Sequence, residues 1–508
     1  MFEGVFSMTT PTSSQQMIID QVGNIAVSAS AGTGKTFTLI SKIEKELETY
    51  KGHKKIAAIT FTIKATNEIK ERLQLKTLGH FIGTNNSFVI DEIIQPFMRD
   101  IYGLEFQKEM QADYNERFNT FEEGIAYIRN RGIIGTYNET KSNFIFKLAR
   151  HILKNSKACQ LYLKAKYMHI YIDEYQDCDT DMHQFFMLIV DLLHIPLFVV
   201  GDIKQSIYNW RGAHPEHFAG LKDRDDFTHI PLQENHRSCL QIQNYSNLLN
   251  SETAELFQPI KELEDIYYLD NDETWEEKLT QLLDREKTIA LLRYKNVDAE
   301  QQANSLKEYI EDFVFLPALP IAEIANGHSW LIYAVCQYCV LDKYSIYHLW
   351  EEIPNELLSF SLNKQVVKNK LEAIKQAIQE KSCFMDKVRE LFSIFEYKIK
   401  NSEVEKMWES VSDEKYYNSY TPENFRHIAI TLHSSKGLEF DQVIVFTEDF
   451  PLNNQDSVAH HYVAVTRAKK KLFIVNKKEC WKSRRFNDNL TRKISPHKLE
   501  DLVTYLYS

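Results

Sequence analysis

Residues 22–50 read VGNIAVSASAGTGKTFTLISKIEKELETY. The stretch opens on an apolar run, VGNIAVSA (22–29), turns through a glycine loop, SAGTGKT (30–36), and continues as TLISKIEKEL (38–47) with helical spacing of its apolar residues. Strand, tight loop and helix in that order begin a parallel α/β sheet. A second such unit follows at 55–73, where KIAAITF is strand-like and KATNEIKERL is helical with i,i+4 charge pairs. YMHIYID (167–173) and PLFVVGD (196–202) are further apolar runs. A later group comprises TIALLR (288–293), HIAITL (427–432), QVIVFT (442–447) and KLFIV (471–475). Continuous apolar runs, rather than alternating ones, mark strands covered on both faces. Mainly helical stretches separate the groups, with LEAIKQAIQEK (371–381) the clearest amphipathic example. No internal repeat or low-complexity segment is evident. The fold class expected is α/β: two parallel-sheet cores, each interrupted by a mainly helical insertion.

Composition is compatible with this. The chain has 508 residues, 44% hydrophobic and 26% charged, with a net charge of −11. At roughly 150 residues per domain, that length suggests about three or four domains. Thirty Phe and 26 Tyr exclude a disordered chain, and 16 Gly with 12 Pro exclude a collagenous one. The sequence contains no apolar run of about 20 residues, so no membrane span is expected. The start, MFEGVFSMTTPTSSQQ, lacks the basic and apolar regions of a signal peptide. Seven cysteines, an odd number, read as reduced thiols in a cytoplasmic protein. The negative net charge leaves nucleic acid open as a partner, because a local basic groove outweighs the sum.

The glycine loop, Ala29-Ser30-Ala31-Gly32-Thr33-Gly34-Lys35-Thr36, suits a nucleoside triphosphate. Gly32 and Gly34 let backbone N–H groups approach phosphate, and the helix N-terminus adds partial positive charge. Lys35 is expected to neutralise the outer phosphates and Thr36 to ligate Mg²⁺. Tyr171-Ile172-Asp173-Glu174-Tyr175-Gln176-Asp177 ends a buried strand in two adjacent carboxylates. One can hold the magnesium shell while the next polarises the attacking water, so Asp173 is assigned to Mg²⁺ and Glu174 to water.

With these motifs in place, the chain resembles superfamily 1 helicases of the UvrD/Rep type from Gln16 to Lys469. Thr60-Phe61-Thr62-Ile63-Lys64-Ala65 resembles the family's TFTNKAA, and Gly83-Thr84-Asn85-Asn86-Ser87-Phe88 its GTxHSF. Gly201-Asp202-Ile203-Lys204-Gln205-Ser206-Ile207-Tyr208-Asn209-Trp210-Arg211-Gly212-Ala213 nearly spells its third motif. Asn235-His236-Arg237-Ser238, Thr431-Leu432-His433-Ser434-Ser435-Lys436-Gly437-Leu438-Glu439-Phe440 and Val463-Ala464-Val465-Thr466-Arg467-Ala468-Lys469 resemble the fourth, fifth and sixth.

The resemblance implies two RecA-like domains with ATP and Mg²⁺ in the cleft between them. It places the first domain at 1–95 and 150–230 with an insertion at 96–149. The second falls at 231–300 and 422–490 with an insertion at 301–421, and 491–508 forms a C-terminal tail. It makes Gln205 a γ-phosphate sensor and Arg237 and Arg467 arginine fingers from the second domain. Glu439 would hold the ribose and Gln16 the adenine edge, with Gln15 an open alternative. Phe37 stands where the family has Arg, and His236 where it has Tyr, so the pair facing the base differs in kind. Tyr208, Trp210 and Arg211 form an aromatic and cationic surface for single-stranded DNA, to which Phe61, Thr84 and His433 would add contacts. Ile63 and Asn86 depart from the family's Asn and His, and Ala459-His460-His461 replaces an arginine pair.

Both insertions look short, and too few residues follow Lys469 for an appended nuclease. In that respect the chain is most similar to the GajB family of Gabija antiphage systems. The resemblance implies a hetero-oligomer with an OLD-type nuclease of the GajA kind, and hydrolysis stimulated by DNA ends. The functions in competition are a 3′-to-5′ helicase or translocase, a DNA-end-activated NTPase without processive unwinding, and a binding subunit with vestigial hydrolysis. The lone pair Cys336-x-x-Cys339 reads as helix interior, and His460-His461 as exposed loop histidines.

Overall fold

The computed structural model describes residues 10–506 except 62, 74–78, 109, 140–141, 208–211, 325–327, 354–361, 396 and 398. The chain divides into two compact units, Met1–Arg237 and Ser238–Ser508.

The first unit carries a six-stranded sheet built from β1 (Asn24–Ala29), β2 (Lys55–Thr60), β3 (Phe81–Thr84), β6 (Tyr167–Ile172), β7 (Leu197–Gly201) and β8 (Phe227–Leu232), in the order β3-β2-β6-β7-β1-β8. Every neighbouring pair is parallel. Alternate side chains feed two separate cores, as the pleat requires. Ile25, Val27, Tyr171, Phe198 and Val200 pack with Leu39, Ile40 and Ile43 of α2 (Lys35–Thr49). Ala26, Ile170, Ile172 and Val199 face the opposite side, against Phe146, Phe185 and Phe186. Each such Val, Ile or Phe contributes roughly 1.5–3 kcal/mol on full burial, which explains the unbroken apolar runs.

Ahead of β1, α1 (Ser13–Asp20) starts in a capping box between Thr12 and Gln15. Its far end is held by the ammonium of buried Lys42, which donates to the Gln21 carbonyl at 2.5 Å and the Ile19 carbonyl at 3.4 Å. The insertion between β3 and β6 is not purely helical. Helices Gln95–Tyr102, Phe121–Arg131 and Phe144–Asn155 accompany a parallel pair, β4 (Gln111–Phe118) and β5 (Ile133–Tyr137).

The second unit holds a seven-stranded parallel sheet. Its strands are β9 (Ile266–Asp270), β10 (Ile289–Arg293), β11 (Phe313–Phe315), β12 (His427–Thr431), β13 (Phe440–Phe446), β14 (Ala468–Asn476) and β15 (Thr504–Leu506), ordered β11-β12-β10-β13-β14-β9-β15. Among the described residues, five α-helices from Ser329–Val340 to Asn401–Ser412 form a helical body with its own core spanning Ile321 to Tyr420.

Three expected boundaries move. The first sheet extends past 230, because β8 pairs with β1 as far as Leu232 opposite Ala29. The second insertion begins well after 301, since Ala303 and Leu306 of helix Asn296–Lys307 pack in the sheet core. Residues 491–508 are no tail, because β15 adds to the sheet beside β9. Among the described residues, no helix is long and apolar enough to cross a membrane.

Candidate nucleotide-binding site

The carboxyl ends of the first sheet's strands deliver the candidate residues to one edge, where ligands bind in open parallel sheets. β1 leads into residues 30–36, β6 into Asp173-Glu174, β7 into Gly201–Gln205 and β8 into Asn235–Arg237. Register sets them side by side: Ser28 opposite Gly201, Ala29 opposite Leu232, and Ile172 opposite Val199.

The loop closes on itself and on β8. Thr33 donates its hydroxyl hydrogen to the Ser30 carbonyl at 2.9 Å, and the Ser30 N–H donates to the Leu232 carbonyl at 3.1 Å. Gly32 and Gly34 sit at φ +74° and +78°, where side chains are strained. A Cβ on Gly32 would lie 2.7 Å from the Arg237 Cβ and strike the Asn235 side chain as well. A Cβ on Gly34 would lie 2.8 Å from the Gln15 amide nitrogen. Both glycines are therefore required by backbone shape and by close neighbours. Lys35 and Thr36 follow in the first turn of α2 with Phe37, all three half-buried.

Two neighbours of this loop differ from expectation. Gln15, buried at 4% exposure, donates to the Thr33 carbonyl at 3.1 Å. Gln16 is exposed and bonds Asp20 at 2.6 Å, so α1 turns Gln15 rather than Gln16 to the loop. Arg237 belongs to the first unit, not the second. The His236 N–H donates to the Gly32 carbonyl at 2.9 Å, and the Asn235 side chain accepts the Arg237 N–H at 2.8 Å. Pairing of β8 with β1 brings the chain out against the loop, which is the physical reason. The His236 ring itself is exposed.

Asp173 is buried, its N–H donating to the Ile59 carbonyl at 3.0 Å and its carboxylate accepting the Glu174 N–H at 2.9 Å. Burial and then the adjacent Glu174 push its carboxyl up to about 7, against the opposing pull of Lys35. Glu174 adopts the left-handed region at φ 53°. Its carboxylate accepts a short hydrogen bond from the Gln176 amide, and the Gln176 oxygen accepts the Asp202 N–H at 2.9 Å. The Asp202 carboxylate in turn accepts from Gln205 at 2.8 Å and pairs with Lys204 at 3.0 Å. A buried chain of hydrogen bonds thus runs from Glu174 to Gln205. Gln176 and Asp202 received no role from the sequence, although each lies in a quoted motif, Gln176 in DEYQD and Asp202 in the third family motif.

The residues fit a magnesium nucleotide. The glycine cradle, Lys35 and the start of α2 match phosphate, while the Thr36 hydroxyl and Asp173 are hard oxygen donors of the kind Mg²⁺ takes. A buried carboxyl with a raised pKa beside this loop is a group that a divalent cation would favour in its charged form.

In the second unit, Arg467 is buried and donates to the Val463 carbonyl at 3.1 Å and the Leu438 carbonyl at 3.3 Å. Glu439 is exposed and pairs with Lys469 at 3.5 Å. The His433 ring lies edge-on to Tyr294 and His460, with centroids 5.8 and 5.6 Å away. His460 and His461 are not loop residues: both lie on helix Gln455–Val465, and His461 is fully buried with Tyr245 2.9 Å away. Of the other expected DNA contacts, Phe61 packs partly buried against a core and the Thr84 hydroxyl caps the short helix Asn85–Val89. Tyr208, Trp210 and Arg211 lie outside the described residues. Cys336 and Cys339 are buried in helix Ser329–Val340, as the helix-interior expectation has it. Among the described residues, no cluster of three or more His, Cys, Asp or Glu could hold a metal.

Twin parallel sheets, the first with a phosphate loop beside an acidic strand end, define a P-loop protein of the RecA-like class. The UvrD/REP helicase N-terminal domain matches residues 11–124 and 100–227, and the UvrD-like helicase C-terminal domain matches 427–475. The chain belongs to this UvrD-like helicase family. It is 39% identical over 476 residues to Gabija protein GajB of Bacillus cereus (strain VD045), covering 92% of this chain and 96% of that protein. It is 24% identical over 374 residues to the ATP-dependent DNA helicase Rep of Escherichia coli (strain K12), covering 62% and 55%. For the ATP-dependent DNA helicase PcrA of Staphylococcus aureus (strain Mu50 / ATCC 700699), identity is 24% over 286 residues, covering 46% and 38%.

Proposed function

We propose that this chain is a DNA-dependent ATPase that moves 3′ to 5′ on single-stranded DNA, acting beside an OLD-type nuclease in Gabija antiviral defence. The observation that carries the reading is the phosphate loop with Gln15 and Asn235–Arg237 packed against it, flanked by the Glu174–Gln176–Asp202–Gln205 chain. In this reading Lys35 and the loop amides hold the triphosphate, and Glu174 takes the proton of the attacking water. Gln205 senses the γ-phosphate, with Arg237 and Arg467 balancing charge as it leaves. Mg²⁺, when bound by Thr36 and Asp173, supplies neutralisation of phosphate charge. Tyr208, Trp210, Arg211, Phe61, Thr84 and His433 are assigned to DNA.

The likeness to Gabija protein GajB along nearly the full length of both chains supports a role in a Gabija system, and the nuclease partner rests on the resemblance read from the sequence. A second reading, a DNA-end-activated NTPase without processive unwinding, is favoured by the short span between β3 and β6. Nucleotide hydrolysis and strand displacement should be measured together, with and without DNA ends. Lys35→Ala should abolish hydrolysis, and Glu174→Gln should lower kcat by about 10²–10⁴-fold while nucleotide still binds. Turnover at the wild-type rate in either variant would remove the assigned roles. Hydrolysis without displacement on any tailed duplex would select the second reading.

A further inference from the structure

We infer that the C-terminal helix Trp481–Ile494 is a second contact surface for single-stranded nucleic acid, separate from the residues assigned to DNA above. In a chain of net charge −11, this helix places Lys482, Arg484, Arg485, Arg492 and Lys493 against a single carboxylate, Asp488. Its apolar side, Phe486, Leu490 and Ile494, is buried, which turns the cations outward. Lys482, Arg484, Arg485 and Arg492 are all exposed, and Lys493 is half-buried.

None of these five cations forms an ion pair among the described residues. The contrast with their neighbours is direct. Lys477 and Lys478, just upstream, pair with Glu448 at 3.8 Å and Asp270 at 2.6 Å. Helix energetics do not explain the pattern either. Arg492 and Lys493 in the last turn complement the helix dipole, but Lys482, Arg484 and Arg485 near the start oppose it. Lys482, Arg484 and Arg485, which neither form ion pairs nor serve their own helix, are available to an external polyanion; among the described residues Arg484 donates only to the Lys478 carbonyl, at 3.4 Å.

Trp481 selects the kind of polyanion. Its indole is 59% exposed, and the Arg485 guanidinium lies 5.3 Å from the ring centroid. An exposed indole among guanidinium groups offers a stacking platform with phosphate anchors beside it, the combination that single strands use without sequence preference. Acidic protein surfaces would use the cations and leave the indole idle. From Lys482 to Arg492 the face runs about 15 Å, the reach of about four stacked nucleotides.

The inference does not require the motor reading, because its readout is binding to the full-length chain without nucleotide. Affinity for an oligo-dT strand should be followed by anisotropy across a salt series. Combined Lys482→Glu, Arg484→Glu and Arg492→Glu should weaken binding at least tenfold at about 0.1 M salt. The slope of log K against log salt should become shallower by about 2, as expected for three lost phosphate contacts. Trp481→Ala should weaken binding about tenfold with little change in slope, and its loss should reduce DNA-dependent quenching of tryptophan emission to the part that Trp210 supplies. Should the charge-reversed chain misfold, the corresponding three Gln substitutions at these exposed positions serve instead. Hydrolysis in the absence of DNA should stay at the wild-type rate in all variants. Unchanged affinity and slope would overturn the proposal. So would a loss seen on blunt duplex alone, or stronger competition by poly-glutamate than by oligo-dT of equal charge.

Discussion

Gln176 makes two hydrogen bonds with different consequences. Its amide donates to Glu174, and its oxygen accepts the Asp202 N–H at 2.9 Å, so one buried side chain joins the acidic strand end to the segment bearing Gln205. Gly201 keeps that route open, since a Cβ there would lie 2.6 Å from the Gln176 oxygen. Two substitutions separate the bonds. Gln176→Glu keeps an acceptor for Asp202 and loses the donor to Glu174, whereas Gln176→Met loses both at similar volume. If orientation of Glu174 is what matters, each should lower DNA-stimulated kcat about tenfold or more, with KM changed less than about twofold. A Gln176→Glu enzyme with wild-type kcat would show that the side chain only anchors the loop. At this scale the sequence was readable where backbone shape dictates residue type, as at Gly32 and Gly34 with their left-handed φ. It was ambiguous where only helix phase decides. Gln15 and Gln16 are equal as text, and the capping box from Thr12 is what turns Gln15 inward.

Among the secondary-structure elements, the strands that were legible are the central ones, because burial on both faces writes an unbroken apolar run. Edge strands carry weaker signals: β8 reads FTHIPL, with only Phe227, Ile230 and Leu232 covered, and it passed unrecognised. Helix Gln455–Val465 failed for the opposite reason. Its residues from Ser457 to Val465 are nearly all buried, so no polar face marks a helical period, and Asn454 as N-cap was the remaining clue. That burial has a measurable effect through His461, whose pKa burial lowers to about 3. An unfolded histidine titrates near 6.5, so below that pH the unfolded chain takes up a proton that the folded chain refuses. Stability from this group is complete above about pH 6.5 and declines as pH falls toward 3. His460 and His183, each lowered to about 4 chiefly by burial, act in the same direction. Thermal melts should therefore show Tm falling from pH 7 to pH 4.5. His461→Gln, which can still bond Tyr245, should flatten part of that fall while lowering Tm at pH 7. An identical pH slope in the variant would mean that other groups carry the effect.

Over the whole molecule, two parallel sheets were visible in the sequence as two groups of apolar runs, and the family signatures fixed their order along the chain. The division between them was misplaced, because β8 and Asn235–Arg237 look like the start of something new until Leu232 is seen beside Ala29 and His236 beside Gly32. The consequence is an unequal division of the candidate residues. Lys35, Asp173, Glu174, Gln205 and Arg237 all belong to Met1–Arg237, and Arg467 alone of the hydrolysis set belongs to Ser238–Ser508. Nucleotide affinity should then reside in the first unit, with Arg467 adding rate rather than binding. Arg467→Lys keeps a cation and a donor but loses the planar fork that meets a phosphoryl group, so the fold should hold while the transition state loses a partner. The expected result is affinity for a non-hydrolysable ATP analogue within about threefold of wild type, an unchanged Tm, and kcat lower by at least about 10²-fold. A fallen Tm with kcat unchanged would instead assign Arg467 to its bonds with Val463 and Leu438, and a lost affinity would put part of the nucleotide's grip in the second unit.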